Sequence, residues 1–417
     1  MELMPGYKRS DVGVIPDDWD AKPLGEIGDS LIGLTYRPSE VRKYGTLVLR
    51  SSNVQNGTLC FDDNVFVDAD IPDRIMVRPG DILVCVRNGS RDLIGKSALI
   101  DERAVGMTFG AFMAVFRSEH GKLLHHVFQS GIFKKQINEH LGATINQITN
   151  KSLNSFKVPL PPTDEERTEI ANALSDVDAL LATLDQVIAK KRDLKQATMQ
   201  QLLAGETRLP GFSGNWEVKQ LGDIGQFLKG RGVKKDEAQS GTLPCIRYGE
   251  IYTHHNDYIK SFNSWISPQV AATATRLKQG DLLFAGSGET KEEIGKCVAF
   301  IDDCEAYAGG DTVILRAAGV NPMFMGYYCN TAPIAAQKAS KGQGDAVVHI
   351  SAAALSSIVL ALPSLSEQNA IATVLSSMDS ELSVLESRRD KTRNIKQAMM
   401  QELLTGKTRL VEGGYDG

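Results

Sequence analysis

Carboxylates beside lysines, paired histidines and scattered cysteines are the residues of this chain that could do chemistry of their own. "PDDWDAK" (16–22) sets Asp20 two positions before Lys22, and "NWEVK" (215–219) repeats the arrangement with Glu217 and Lys219. An acid-x-lysine pair suggests a metal-dependent nuclease, which holds its ions between carboxylates brought in from different places. Asp17, three residues before Asp20, is too close for that geometry, and no acid stands at the same spacing before Trp216. The preferred reading is that Trp19 and Trp216 pack where each globular region begins. His125-His126 and His254-His255 are adjacent pairs whose side chains should diverge on a helix or strand, so no metal site is expected from them. No serine or cysteine partner motif gives them a catalytic role. Cys60, Cys85, Cys245, Cys297, Cys304 and Cys329 form no CxxC pair, which predicts reduced core residues rather than zinc ligands or disulfides. No glycine-rich nucleotide fingerprint follows a strand, and no Asn-Pro-Pro-aromatic or Asp-Pro-Pro-aromatic tetrapeptide occurs. No catalytic residue and no metal ligand is assigned.

The elements that would position any site come in two copies. "LKQATMQQLLAGETRL" (194–209) returns as "IKQAMMQELLTGKTRL" (395–410), and residues 162–209 match 363–410 without a gap. Trp19 with "LGEIG" (24–28) returns as Trp216 with "LGDIG" (221–225), and "GDILVCVRNGSRDLIGK" (80–96) as "GDLLFAGSGETKEEIGK" (280–296). Segments 163–205 and 364–406 read as long helices. Each starts at Pro-Thr or Pro-Ser with Glu166 or Glu367 three residues on, a capping box, and each closes at a glycine, Gly205 or Gly406. Apolar residues recur at 4-3 spacing: Ile170, Leu174, Val177, Leu181, Leu184, Ile188, and Ile371, Leu375, Met378, Leu382, Leu385. That is a coiled-coil seam rather than a globular-core helix. A pseudo-twofold axis between the copies would make the helices antiparallel, each roughly 64 Å long at 1.5 Å per residue.

The remaining segments carry short β-like runs ("DILVCV", "MAVFR", "FKVPL"; "DLLFA", "TVILR", "IVLAL") between Gly, Asn and Asp turns. The fold class expected is α/β or α+β, with globular regions at 1–160 and 210–361 and helices at 161–209 and 362–417. A length of 417 residues suits two or three domains. No apolar run approaches the ~18 residues of a membrane span, and the start "MELMPGYKRSDVGVIPDDW" has no apolar signal region, so a cytoplasmic protein is expected. The net charge of −5 does not advertise a nucleic-acid binder, so any such role must rest on local basic loops.

Two variable globular regions alternating with two near-identical helices, together with "IPDDWDAKPLGEIG", "GDILVCV", "VPLPPTDEERTEIANAL" and "QLLAGETRLPGFSGNWEVKQLGDI", resemble the specificity subunit of type I restriction–modification systems over essentially the whole chain. The resemblance implies a non-catalytic subunit in which each globular region is a target-recognition domain reading half of a bipartite site in double-stranded DNA. It implies that the helices set the spacing and bind two methyltransferase subunits, with restriction subunits joining outside. S-adenosylmethionine, ATP and Mg would then belong to those partners and not to this chain. A coiled-coil adaptor without sequence readout, or a single-chain nuclease or modification enzyme, are the alternatives.

If both regions meet the same phosphate backbone but different bases, shared cations should position and divergent polar residues should specify. Arg50 and Arg247 are equivalent, while Ser51, Ser52 and Asn53 face Tyr248, Gly249 and Glu250. The arginines would grip phosphate, with Asn suited to adenine and Glu to cytosine; the plain alternative is that they start a strand and pair with a carboxylate. Lys96 and Lys296 are shared, Arg91 and Lys291 are alike in charge, and Arg87-Asn88-Gly89 faces Ser287-Gly288-Glu289. The Gly-Asp before each strand reads as turn chemistry. "LKGRGVKK" (228–235) supplies Lys229, Arg231, Lys234 and Lys235; Arg37, Arg42 and Lys43 stand in the corresponding region beside Tyr36 and Tyr44. Thr144, Asn146, Gln147, Lys341 and Gln343 lie in a turn before the last strand. The helix tails stay alike beyond the seam, which suggests equivalent partner-docking sites at Lys195, Gln196, Met199, Gln200 and Lys396, Gln397, Met400, Gln401.

Overall fold

The computed structural model describes residues 5–141, 146–344 and 347–410. The turn residue Thr144 lies outside the described residues. The chain divides into two compact units, Met1–Asp185 with Ser387–Gly417, and Gln186–Glu386. The long helices run Asp164–Leu203 and Leu365–Leu403. Each unit therefore takes one globular region, the first part of the helix that follows it, and the last part of the other helix.

In the first unit a four-stranded antiparallel sheet has the order Ser97–Leu99, Ile82–Cys85, Met113–Arg117, Asp29–Ile32. The "ILVC" strand is apolar at every position because both of its faces are covered. Ile82 and Val84 enter a core with Leu123, Phe133 and Ile170, whereas Leu83 and Cys85 enter a second core with Leu49, Phe109 and Ala98. A smaller mixed sheet, Thr108–Phe109, Thr46–Leu49, Phe66–Val67, Val41–Arg42, covers that second face.

The second unit repeats the plan with Gly225–Lys229, Thr312–Ala317, Asp281–Ala285 and Cys297–Ala299. Leu282 and Phe284 face one core and Leu283 and Ala285 the other. The aspartate of each Gly-Asp turn is structural. Asp81 accepts the Arg78 N–H at 2.8 Å and two bonds from Arg117 at 2.8 and 2.7 Å, and Asp281 is held likewise by Lys278 and Arg316.

The seam residues divide by environment. Ile170 and Leu174 belong to the globular core of the first unit, and Ile371 and Leu375 to that of the second, which corrects the reading of these turns as seam alone. Further along, Leu184, Ile188 and Leu382 are buried, and Val177, Leu181, Met378 and Leu385 are half-buried. Within the first unit Asp178 faces Lys396 and Asp185 faces Arg389; within the second Asp379 faces Lys195 and Glu381 faces Lys191. In each unit the two helix segments thus run antiparallel.

The repeated tails seal these cores. Leu403 and Leu404, with Met399 and Met400 against them, close the first unit; Leu202 and Leu203, with Met199 and Leu209, close the second. This gives the tails a shared constraint inside the chain. Lys195 bonds Asp379 at 2.7 Å and Lys396 bonds Asp178 at 2.7 Å, so Lys195, Met199, Lys396 and Met400 turn inward rather than toward a partner. Gln196, Gln200, Gln397 and Gln401 remain exposed.

Candidate nucleic-acid interface

The candidate contacts sit on loops, short helical turns and the ends of strands and helices. Arg50 follows the strand Thr46–Leu49 and Arg247 follows Leu243–Ile246, so both leave a strand rather than start one. Each stands just before a short helical turn, and each pairs with a carboxylate, Arg50 with Asp63 at 2.7 Å and Arg247 with Glu250 at 3.3 Å.

The divergent residue three positions on does the same task in both units. Asn53 Oδ1 accepts the Arg50 N–H at 2.9 Å, and Glu250 Oε2 accepts the Arg247 N–H at 3.2 Å. Asn53 is fully buried and its amide donates to Cys60 O and Asp63 O at 3.0 and 3.2 Å. Glu250, also buried, takes hydrogen bonds from Arg247 and from the Ser264 hydroxyl. Neither faces a base, which corrects the assignment of Asn53 and Glu250 to readout. Tyr248 is exposed on the first turn of its helix, and Ser51, half-buried, accepts from Asn88 at 3.4 Å, joining the first two loops of the first unit.

The shared cations of the second loop separate. Arg91 donates to the carbonyls of Asn138 and Leu141 at 3.3 and 3.1 Å, where the end of helix Gly131–His140 leaves acceptors unpaired. Lys296 is half-buried and donates to His255 O at 2.8 Å, so it is turned away from solvent and is corrected as a phosphate contact. Lys96 lines a cavity of the first unit with Asp92 and Gln129, while Lys291 is exposed. Arg37, Arg42 and Lys43 are exposed, Arg42 donating to Ser39 O at 2.6 Å; Arg231, Lys234 and Lys235 are exposed as well.

Two predicted groups do meet. Lys229 from "LKGRGVKK", and Lys341 and Gln343 from the last turn, line one cavity of about 450 Å³ in the second unit with Ser287, Asp311 and His349. Ser287 Oγ and His349 Nδ1 are 2.9 Å apart. The matching place in the first unit holds Arg87, whose guanidinium lies 5.1 Å from the Phe112 ring centre, and Gln147, paired with Arg87 across an antiparallel bridge. Asn146 donates to Gly89 O at 3.2 Å and ties this turn to the second loop. Phe112, Asp311 and His349 were missed by sequence reasoning. The signal was present, since Phe112 and Asp311 stand at the entry of the matched strands "MAVFR" and "TVILR", where an aromatic faces an acid.

The carboxylate-lysine motifs are ion pairs along the surface of a strand, Asp20 with Lys22 at 3.6 Å and Glu217 with Lys219 at 3.0 Å. His254 is exposed and His255 buried, as divergence requires. His125 and His126 depart from it: their ring centres are 5.2 Å apart, and both lie with Asp178 in a cluster whose ligand atoms fall within 4.8 Å. Burial, followed for His125 by the His126 imidazole and for both by the Lys396 ammonium, pushes the two imidazoles down to about 3 and about 4. Lys396, already on Asp178, supplies the cation that a metal would have to displace.

The chain matches the family model "Type I restriction modification DNA specificity domain" twice. It is 26% identical over 438 residues to the putative type I restriction enzyme MjaX specificity subunit of Methanocaldococcus jannaschii, covering 97% of both chains. It is 25% identical over 303 residues to the type I restriction enzyme EcoKI specificity subunit of Escherichia coli, covering 68% of this chain and 65% of that protein's length. The fold is that of the type I restriction–modification S subunit from M. genitalium, with a TM-score of 0.60 at 15% identity over 97% of this chain and 98% of that one. A structure described under complex assembly and conformational transition of the type I system gives a TM-score of 0.53 at 18% identity, covering 94% and 99%. Matched over residues 16–190 and again over 213–392, the chain belongs to the type I restriction–modification DNA specificity family.

Proposed function

We propose that each globular region reads one half of a bipartite site in double-stranded DNA, and that the chain does so without catalysing a reaction or carrying a cofactor. The observation that carries this reading is a duplicated scaffold with divergent side chains: the same sheet, turns and main-chain bonds recur in both units, while Arg87, Phe112 and Gln147 stand where Ser287, Asp311 and His349 do. A duplicated frame presenting different side chains is the arrangement expected of two readers that share a backbone and differ in sequence. Exposed Lys229, Arg231, Lys234 and Lys235 supply phosphate contacts that a net charge of −5 does not.

Two methyltransferase subunits would dock on the helices, where the exposed Gln196, Gln200, Gln397 and Gln401 offer equivalent rows, with restriction subunits outside. S-adenosylmethionine, ATP and Mg belong to those partners in this reading, and adenine is flipped from the stack to reach their active sites. Co-expression with the cognate methyltransferase and single-molecule sequencing of methylated bases tests it. The expected result is a split motif with methyladenine in each half, and exchange of residues 20–158 should change one half only. A stable complex that leaves no motif would favour the adaptor, and DNA cleavage by the purified chain alone would favour an enzyme.

A further inference from the structure

Three positions in each unit share a main-chain frame and nothing else. In the first unit the Val86 N–H donates to Phe112 O at 3.1 Å, and the Ile148 N–H to Val86 O at 2.8 Å. In the second the Gly286 N–H donates to Asp311 O at 2.7 Å, and the Ile350 N–H to Gly286 O at 3.0 Å. Beyond them Thr149 and Ser351 cap the next short helix through the same bond, from Ser152 N–H and Ala354 N–H, both at 3.1 Å. This frame makes Arg87 equivalent to Ser287, Phe112 to Asp311 and Gln147 to His349.

The outer side chains at this edge are exposed. Phe112 is 59% exposed, and Arg87, Gln147, Asp311 and His349 are exposed as well. A large ring left in water beside a guanidinium has no packing purpose in the chain. Asp311 holds a left-handed backbone, φ +56°, at the corresponding corner, a conformation that costs a non-glycine residue energy and recurs where function requires it. The Ser287 hydroxyl is buried, and its one partner among the described residues is His349 Nδ1.

We infer that these triads, Arg87–Phe112–Gln147 and Ser287–Asp311–His349, are the base-reading residues of the two half-sites, an assignment that rests on the reading above. Arg87, with its guanidinium 5.1 Å from the Phe112 ring centre, presents a planar fork of donors to guanine O6 and N7, and the Phe112 edge meets a thymine methyl. In the second unit the Ser287 hydroxyl donates to His349 Nδ1, which leaves the proton on Nε2 to donate to a base acceptor. Asp311 accepts from an exocyclic amine such as cytosine N4. Lys229 and Lys341, on the same cavity, hold the phosphates at either side.

The test is selection from a duplex library, randomised in both halves, by the complex of the full chain with its methyltransferase subunits. Arg87→Ala should lower the preference at one or two positions of one half by roughly 5- to 150-fold while the other half is unchanged, and His349→Ala should do the converse. Arg87→Gln and His349→Gln, which keep polar side chains on the surface, guard against loss of folding by truncation. If these variants weaken binding uniformly and select the original motif, the triads grip phosphate or only support the fold, and the assignment falls. A wild-type complex that selects no split motif would instead sink the proposed function itself, an outcome distinct from the first.

Discussion

Glu166 is fully buried, and two groups of Arg409 meet its carboxylate, Nε closely and Nη2 at 2.8 Å. The same guanidinium reaches Asp18 at 3.1 and 3.0 Å and lies 5.8 Å from the Trp19 ring centre. Removing one partner of such a pair strands a charge in the interior, so Arg409→Ala should destabilise the first unit by about 3–5 kcal/mol, read as a fall in the urea midpoint. Arg208→Ala should lower the urea midpoint of the second unit, where Arg208 binds Glu367. An unshifted midpoint would mean that water serves the carboxylate as well. The buried histidines make a second prediction. In the unfolded chain each takes a proton near pH 6.5, whereas in the fold His125 holds out to about 3 and His126 to about 4. The groups facing them are Lys396 and Asp178 from the helices, with Ser175 and Gln129 as hydrogen-bond partners. Stability is therefore complete above pH 6.5 and declines as pH falls, by up to about 1.4 kcal/mol per pH unit for each imidazole. Between about pH 5 and 6.5, above most carboxylate titrations, a His125→Gln/His126→Gln variant should show a shallower decline than the parent. Equal slopes would count against the neutral buried pair.

At the scale of elements, the long helices begin and end by local rules. Thr163 Oγ1 accepts the Glu166 N–H at 3.2 Å and Ser364 Oγ the Glu367 N–H at 3.3 Å, while Gly205 and Gly406 take φ of +70° and +68° just past the last turns. Any side chain pays about 1–2 kcal/mol for the left-handed backbone. A Cβ at position 406 would also lie 2.5 Å from Pro16 Cγ, but at 205 its nearest neighbour is the Trp216 ring at 3.2 Å. Gly406→Ala should thus lower the melting temperature more than Gly205→Ala; the reverse order would show that Pro16 yields freely. These ends were legible in the sequence because caps and stops depend on residues a few positions apart. The other half of each capping box was not: the Glu166 carboxylate turns from its own helix start to an arginine 243 positions away, a choice made by tertiary packing. The interface divides in the same way. Loops rich in cations could be read directly, and Lys229, Lys341 and Gln343 do meet. Asn53 and Glu250 misled because whether a polar side chain faces solvent or caps its own loop is decided by how that loop folds back.

At the scale of the whole molecule, the duplicated tails mean that each globular region is completed by a segment distant from it or preceding it in sequence. The first is closed by Lys396, Leu403, Leu404 and Arg409, and the second by Lys195, Leu202, Leu203 and Arg208. The two sets match residue for residue, so the tail at 194–209 carries these four groups that the first region takes from 395–410, with Thr198 in place of Met399. A fragment of residues 1–209 is left with an open core, a buried Glu166 without its arginine, and a free tail of the right chemistry. The tail follows its own helix and cannot turn back on it, since the packing in each unit is antiparallel. Two copies can satisfy each other, with Arg208 of one taking Glu166 of the other. The fragment is accordingly expected to sediment as a dimer, and Arg208→Ala together with Leu203→Ala should shift it to monomer by removing the ion pair and a buried side chain whose truncation alone costs about 2–5 kcal/mol. A wild-type fragment that stays monomeric and well folded would show that the first region is stable without a tail, and that the matched endings serve a partner outside the chain.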